Sequence, residues 1–260
     1  MEDYFTLVTG SSSGIGKAIS IECAKRGMNL LLVALPGEKL EEQAVDLKSK
    51  YKVKTYYYHI DLTEKDAPKK VYNWTRENGY KINMLINNAG MGTEGPFERQ
   101  SASYYNTMMQ LNMVALVLLT RFFITDLKKL PKAYILNLGS ISSYFPMPYK
   151  IVYAATKRFV FSFTMALRQE LRNTPVKVSI TCPGPVFTNS RIIEELRSKN
   201  RFIQFFYNDP PFIARYSIKA LLKGKRVIRT DLLSKFLFLT EKILPQYFKQ
   251  KIITRIYRKF

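Results

Sequence analysis

Short, nearly unbroken apolar runs separated by segments of helical spacing set the rhythm of this chain. FTLV (5–8), NLLLVA (29–34), VKTYYYHI (53–60), KINMLIN (81–87), AYILNLGS (133–140) and VKVSITCPGPVFT (176–188) read as six strands. Runs without strict polar alternation suit a parallel sheet covered on both faces. Helices are expected after the loop at 9–16, with Gly27 as a stop, then over about 38–50, 64–78, 101–130 and from Tyr153 to about Asn173. The stretch Ser101 to Thr120 carries no charge and has the length of a membrane span, but its first half, SASYYNTMMQLN, is too polar for hydrocarbon. It is expected to be a long helix in a soluble core. Strands alternating with helices over 5–188 predict a doubly wound α/β sheet with right-handed crossovers, binding ligands outside the carboxyl ends of its strands. The expected layout is one domain over 1–224, with a substrate loop at about 187–212, and a basic amphipathic extension over 225–260.

Composition narrows the setting. The 260 residues include 41 Lys and Arg against 20 Asp and Glu, a formal net charge of +21. Such a molecule attracts anions, and charge alone does not choose among nucleotide phosphates, nucleic acid and anionic lipid. No nucleic-acid-binding module is recognisable. Cys23 and Cys182, on a predicted helix and at a strand end, read as small buried apolar residues rather than a bridge. The start, MEDYFTLVTG, lacks a basic region followed by an apolar one. A cytoplasmic setting is expected. His59 is the one histidine, which leaves neither a Ser-His-Asp arrangement nor a histidine metal site.

Candidate chemistry gathers at the strand ends. In TGSSSGIG (9–16), Gly10 permits the tight turn, Gly14 admits close approach of backbone to a pyrophosphate, and Gly16 lets the following helix pack on the sheet. The helix N-terminus offers unpaired N–H groups, so Ser12, Ser13 and Ile15 join the glycines as phosphate-site candidates. Asp61, followed by Leu62, either accepts from an adenine amino group or caps its own turn. Asn88, Ala89 and Gly90 form a narrow polar ledge. Asn112 is either a satisfied structural amide or an active-site one. Pro183 and Gly184 make a turn exposing the backbone that follows, including Val186 and Thr188. Ser140 stands where a hydroxyl can hold a substrate oxygen. Tyr153 and Lys157, four apart, share a helix face. An ammonium ~4 Å from a phenol, at an effective dielectric of ~20, is worth about 4 kcal/mol, or roughly three pKa units. That would poise Tyr153 near 7.

These motifs, in this order over about 5–190, resemble the short-chain dehydrogenase/reductase family, and the resemblance implies a single-domain, Rossmann-like, three-layer αβα fold. It implies an NAD(P)-dependent oxidoreductase moving hydride between nicotinamide and a carbonyl or alcohol. Tyr153 would exchange the proton of the oxygen and Ser140 orient it. Lys157 would bind the nicotinamide ribose and acidify Tyr153, Asn112 would fix a water in a proton path from Lys157, and Val186 with Thr188 would hold the carboxamide. Members of this kind usually carry an acid after the second strand for NAD, or an Arg there or in the glycine loop for NADP. Here Val33–Pro36 and Ser13 supply neither. The missing acid, the positive field and Lys39 favour NADP(H), with NAD(H) the second choice.

Aromatic residues and Met in Met91–Phe97, Tyr144–Tyr149 and around Phe202–Tyr207 suit a small-to-medium apolar carbonyl or alcohol, unless they are lid and core contacts. Residues 225–260 hold ten basic and two acidic residues among Leu, Ile, Phe and Tyr, split by Pro245. This segment either touches the anionic inner face of a membrane peripherally or packs on the domain or a second subunit. A homo-oligomer is expected. The rival reading is a non-catalytic dinucleotide-sensing or scaffold protein that keeps the fold.

Overall fold

A computed structural model of the chain describes residues 3–37, 39–186, 209–231, 234 and 238. Seven parallel strands form one sheet: β1 (Tyr4–Thr9), β2 (Asn29–Ala34), β3 (Thr55–His59), β4 (Lys81–Asn87), β5 (Ala133–Leu138), β6 (Val176–Thr181) and β7 (Val227–Ile228). Their spatial order is β3-β2-β1-β4-β5-β6-β7, so the chain reverses its direction of travel between β1 and β4. At that reversal the connections leave on opposite sides, which opens a crevice outside the carboxyl ends of the strands.

The side-chain period of two divides the strands between the faces. Leu30 and Leu32 of β2 enter a core under α1 (Gly14–Lys25), α2 (Leu40–Tyr51) and α7 (Pro210–Leu222). Leu31 and Val33 enter the core on the other face, with Val71 of α3 (Ala67–Glu77) and Leu119 and Phe123 of α5 (Leu116–Leu127). Each turn of β2 toward one face is thus matched by apolar surface from a helix on that side.

The expected long helix is interrupted. Ala102–Met109 (α4) is α-helical, Gln110–Ala115 is a π-helical stretch, and α5 follows. Ala102–Leu127 is long and apolar enough to cross a membrane, but Ala115, Leu119, Phe123 and Leu127 pack it onto the sheet. The π stretch carries Asn112, and such bulges are frequent at functional sites.

The sheet also corrects the layout expected from sequence. Val227–Ile228 pairs with β6, and Arg226 and Ile228 accept backbone hydrogen bonds from Ile180 and Cys182. Residues drawn from 225 onward as an extension therefore begin by completing the sheet. The sixth strand ends at Thr181, because Pro183 has no N–H to continue the ladder.

Candidate active site

The glycine loop after β1 is held by close contact that glycine alone allows. A Cβ on Gly16 would lie 2.0 Å from the Gly10 carbonyl oxygen, and Gly10 itself sits at φ +62° with Ala89 Cα only 2.9 Å from where its Cβ would be. Asn88 closes this cradle from β4: its Nδ2 donates to the carbonyls of Thr9 and Gly10, both at 2.9 Å. The Thr9 hydroxyl accepts from the amides of Asn88 and Ala89. Asn88 thus holds the loop rather than lining it as a ledge, and Thr9 is a partner that sequence reading missed.

The first turn of α1 is left open to an anion. Ser13 at its N-cap makes no side-chain cap bond, and the first turn contains no acid. Unpaired amides at a helix N-terminus attract negative charge. Ser12 is half-buried, while Ile15 packs partly against the core. A cradle that a methyl group would fill, backed by an uncapped helix, fits a dinucleotide's phosphates.

Asp61 and Leu62 lie past β3, on the far side of β1 from the catalytic candidates. Asp61 Oδ1 accepts from both the amide and the hydroxyl of Thr63 at 2.8 Å, which is the self-capping alternative. The Leu62 side chain is buried in the core, leaving only its backbone for an adenine.

Ser140, Tyr153 and Lys157 come together at the carboxyl end of β5. Ser140 caps the 3₁₀ turn Ile141–Ser143, accepting from the Ser142 amide at 3.1 Å, and its hydroxyl stands close enough to the Tyr153 phenol to favour the phenolate. Gly92 lies flat against the phenol ring, since a Cβ there would come 2.9 Å from Tyr153 Cδ2. Gly139 is packed as tightly against Ile180 and Cys182. Both glycines build the site, and neither was singled out from sequence.

Lys157, on α6 (Ile151–Glu170), donates to the Leu138 carbonyl at 2.9 Å, and its ammonium lies 5.8 Å from the centre of the Tyr153 ring. Burial pushes its pKa down to about 8, with the Cys182 thiol beside it acting in the opposite direction. The expectation that Lys157 poises Tyr153 near 7 is corrected here. Burial raises the phenol above its ordinary value. Ser140 and the Lys150 ammonium pull it back, and the Cys182 thiol pushes it further up. The Lys150 ammonium, three residues before the phenol and paired through Nζ with Glu94 Oε2 at 3.0 Å, is a second cation acting on it.

Asn112 bridges the two walls of this site. Its Oδ1 accepts from the Met91 amide, and its Nδ2 donates to the Met91 carbonyl and the Thr156 hydroxyl. Both amide hydrogens are spent, so the arrangement is that of a structural amide pinning the Gly90–Gly92 loop to α6. Gly90 lies against Asn112 Oδ1 and Lys157 Nζ.

Of the expected substrate wall, Tyr144 and Phe145 are buried in a core cluster with Val160, Ile180 and Cys182 and do not face a cleft. Pro183 and Gly184 turn beside Ser140, the Pro183 carbonyl accepting from the Ile141 amide at 3.0 Å, and Val186 ends the described run. Thr188, most of the loop at 187–212 and most of the basic segment after 231 lie outside the described residues. Cys23 and Cys182 are both free and buried. His59 bonds the Leu35 carbonyl through Nδ1 at 3.1 Å and serves the strand end.

A glycine-built phosphate cradle and a Ser–Tyr–Lys set on one rim have a counterpart among known proteins, where the model of the short chain dehydrogenase family matches residues 5–199. The chain belongs to that family. Among relatives, the very-long-chain 3-oxoacyl-CoA reductase of Macaca fascicularis is 32% identical over 188 residues, 71% of this chain and 60% of the relative. The 17-beta-hydroxysteroid dehydrogenase type 3 of Homo sapiens is 31% identical over 194 residues, 71% of this chain and 59% of that protein. This dehydrogenase chain therefore spans about three fifths of the length of these curated relatives. Among solved structures, a short-chain dehydrogenase from Sphingobium yanoikuyae in complex with NADPH superposes with a TM-score of 0.80 at 26% identity, covering 92% of this chain and 93% of the other. The bulky-bulky ketone specific alcohol dehydrogenase of Comamonas testosteroni gives 0.79 at 27%, covering 92% of each.

Proposed function

We propose that this short-chain dehydrogenase is an NADP(H)-preferring oxidoreductase that interconverts a ketone and a secondary alcohol on a bulky apolar substrate. The observation that carries it is the gathering of Ser140, Tyr153 and Lys157 on the strand rim that also holds the phosphate cradle. The nicotinamide, when bound, supplies or takes the hydride. The chain's own part is to position the substrate and move the proton. Ser140 Oγ holds the substrate oxygen, Tyr153 gives that oxygen its proton in reduction and takes it back in oxidation, and Lys157 Nζ, beside Gly90, would hold the ribose.

The preference for NADP(H) is supported by the absence of any carboxylate from Val33 to Gly37, where a 2′-phosphate would be repelled, and by the net charge of +21. Lys39 is exposed and paired with Glu42 at 3.7 Å, and the weak hold of a surface pair leaves it able to turn to an anion. The apolar substrate is supported by exposed Phe97 and Ile151 on the two segments joined by Glu94 and Lys150, and by the names of the relatives, a very-long-chain 3-oxoacyl-CoA reductase and a 17-beta-hydroxysteroid dehydrogenase.

Association into a homo-oligomer is supported by Met109 and Val114, exposed on the outer side of the apolar helix. Contact of the basic segment with an anionic membrane face is supported by its ten cationic residues among apolar ones.

The test is NADPH oxidation with a long-chain 3-oxoacyl thioester, a ketosteroid and small aldehydes, on the natural chain and Tyr153→Phe. Turnover of the bulky ketones by the natural chain, lost in the variant, is expected. Equal rates in both proteins would end the acid–base role.

A further inference from the structure

The segment that follows β7 is tied down at two points, one at the turn beside Ser140 and one in the core behind it. Asp231 is the first. Its Oδ2 accepts from the Gly184 amide at 3.1 Å and from the Thr230 hydroxyl at 3.0 Å, and its Oδ1 accepts from the Ser234 amide at 2.7 Å. The Ser234 hydroxyl in turn donates to the Asp231 carbonyl at 2.9 Å. One carboxylate thereby joins the Pro183–Gly184 turn to the start of the C-terminal segment.

The second point is Phe238. The Arg229 guanidinium lies 3.7 Å over its ring, and the ring meets Tyr144 edge-on at 5.3 Å, in the stretch that follows Ser140. The first contact reaches the turn beside Ser140 and the second the core, so they can be perturbed separately.

The chemistry at 231 requires an acid. Three donors converge on the two oxygens from opposite sides, and only an ionised carboxyl group accepts on both. Asparagine would turn its NH₂ toward either the Ser234 amide or the Gly184 amide, so one of the two links must break.

The strand order says what the turn serves. A dinucleotide on the β1 loop must bring its reacting end to Ser140 and Tyr153, at β5 and α6. The 183–184 turn lies beside Ser140, where that end would sit, and the adenosine half would lie on the far side of β1. We propose that Asp231 is a positioning residue for the nicotinamide half of the cofactor, fixing the Gly184 turn through its amide, so that the start of the basic C-terminal segment is part of the catalytic unit. The proposal rests on the dinucleotide reading above.

The experiment measures binding of NADPH, NADH and 2′,5′-ADP by nucleotide and protein fluorescence to the natural chain, Asp231→Asn and Phe238→Ala. 2′,5′-ADP reports the adenosine half alone. Loss of a charge-assisted hydrogen bond, worth about 1.5–3 kcal/mol, converts to roughly a 10- to 100-fold weakening. Asp231→Asn is expected to weaken NADPH by about that factor, leave 2′,5′-ADP unchanged, and differ from Phe238→Ala, which keeps the carboxylate and should bind both as the natural chain does. A role limited to anchoring the segment would make the two variants alike, and equal loss of NADPH and 2′,5′-ADP would point to general unfolding. Either result overturns the proposal. Should Asp231→Asn fail to fold, Thr230→Val removes one donor from Oδ2 and must show the same contrast, smaller in size. A natural chain that binds none of the three nucleotides would instead overturn the function proposed above.

Discussion

Replacing Lys157 with Met should make the protein more stable at neutral pH while ending its activity. Lys157 is only 6% exposed, so its charge is borne by the interior without discount for solvent. Its pKa falls from the ordinary 10.5 to about 8, which means the folded state disfavours the ammonium relative to the unfolded one. At ~1.4 kcal/mol per unit, that difference of two to three units costs about 3 kcal/mol at pH 7, where both states are protonated. Between pH 8 and 10.5 the folded state releases its proton first. The unfolded state then holds more protons, and stability of the natural protein rises with pH.

Met fills much of the same space without the charge, but loses the bond to the Leu138 carbonyl, worth about 1 kcal/mol. The expected outcome is a variant about 1–2 kcal/mol more stable at pH 7 and no more stable at pH 10. Urea unfolding followed through Trp74, the single tryptophan, measures both values. The change of about 2–3 kcal/mol in the gap between the proteins, from pH 7 to pH 10, is the part that depends on the charge alone. A gap that does not move with pH would refute the reasoning. A residue kept at such a cost in stability fits the cofactor-binding role proposed for it.

Three further outcomes follow from the geometry. Lys150→Met removes the ammonium that favours the Tyr153 anion, so the pH limb governed by the phenol should move to higher pH in both reduction and oxidation; a limb that stays or falls would show that Lys150 does not act on it. Gly16→Ala places a methyl 2.0 Å from the Gly10 carbonyl, and unfolding should show a loss of about 2–3 kcal/mol or more together with loss of NADPH binding. A chain ended after Gly224 lacks β7 and the carbonyls that accept from Ile180 and Cys182, and circular dichroism with thermal melting should find no native transition, whereas a chain ended after Phe238 should keep one.

The backbone plan was legible from the order of residues because it is local. A strand's two faces follow from a period of two, which is why Leu30 and Leu32 part from Leu31 and Val33, and the positive φ at Gly10 demands glycine wherever the chain goes next. Ser140, Tyr153 and Lys157 were legible for the same reason: spacing puts the last two on one helix face, and a strand end puts the first at the rim. What acts on those groups was decided by folding. Lys150 adds its pull on the phenol, Asn112 spends its amide on Met91 and Thr156, Tyr144 turns into the core, and Asp231 reaches back 47 residues to Gly184. Fields and hydrogen bonds depend on distance and burial in space, and these are set by which segments the sheet brings side by side. No period along the chain encodes them.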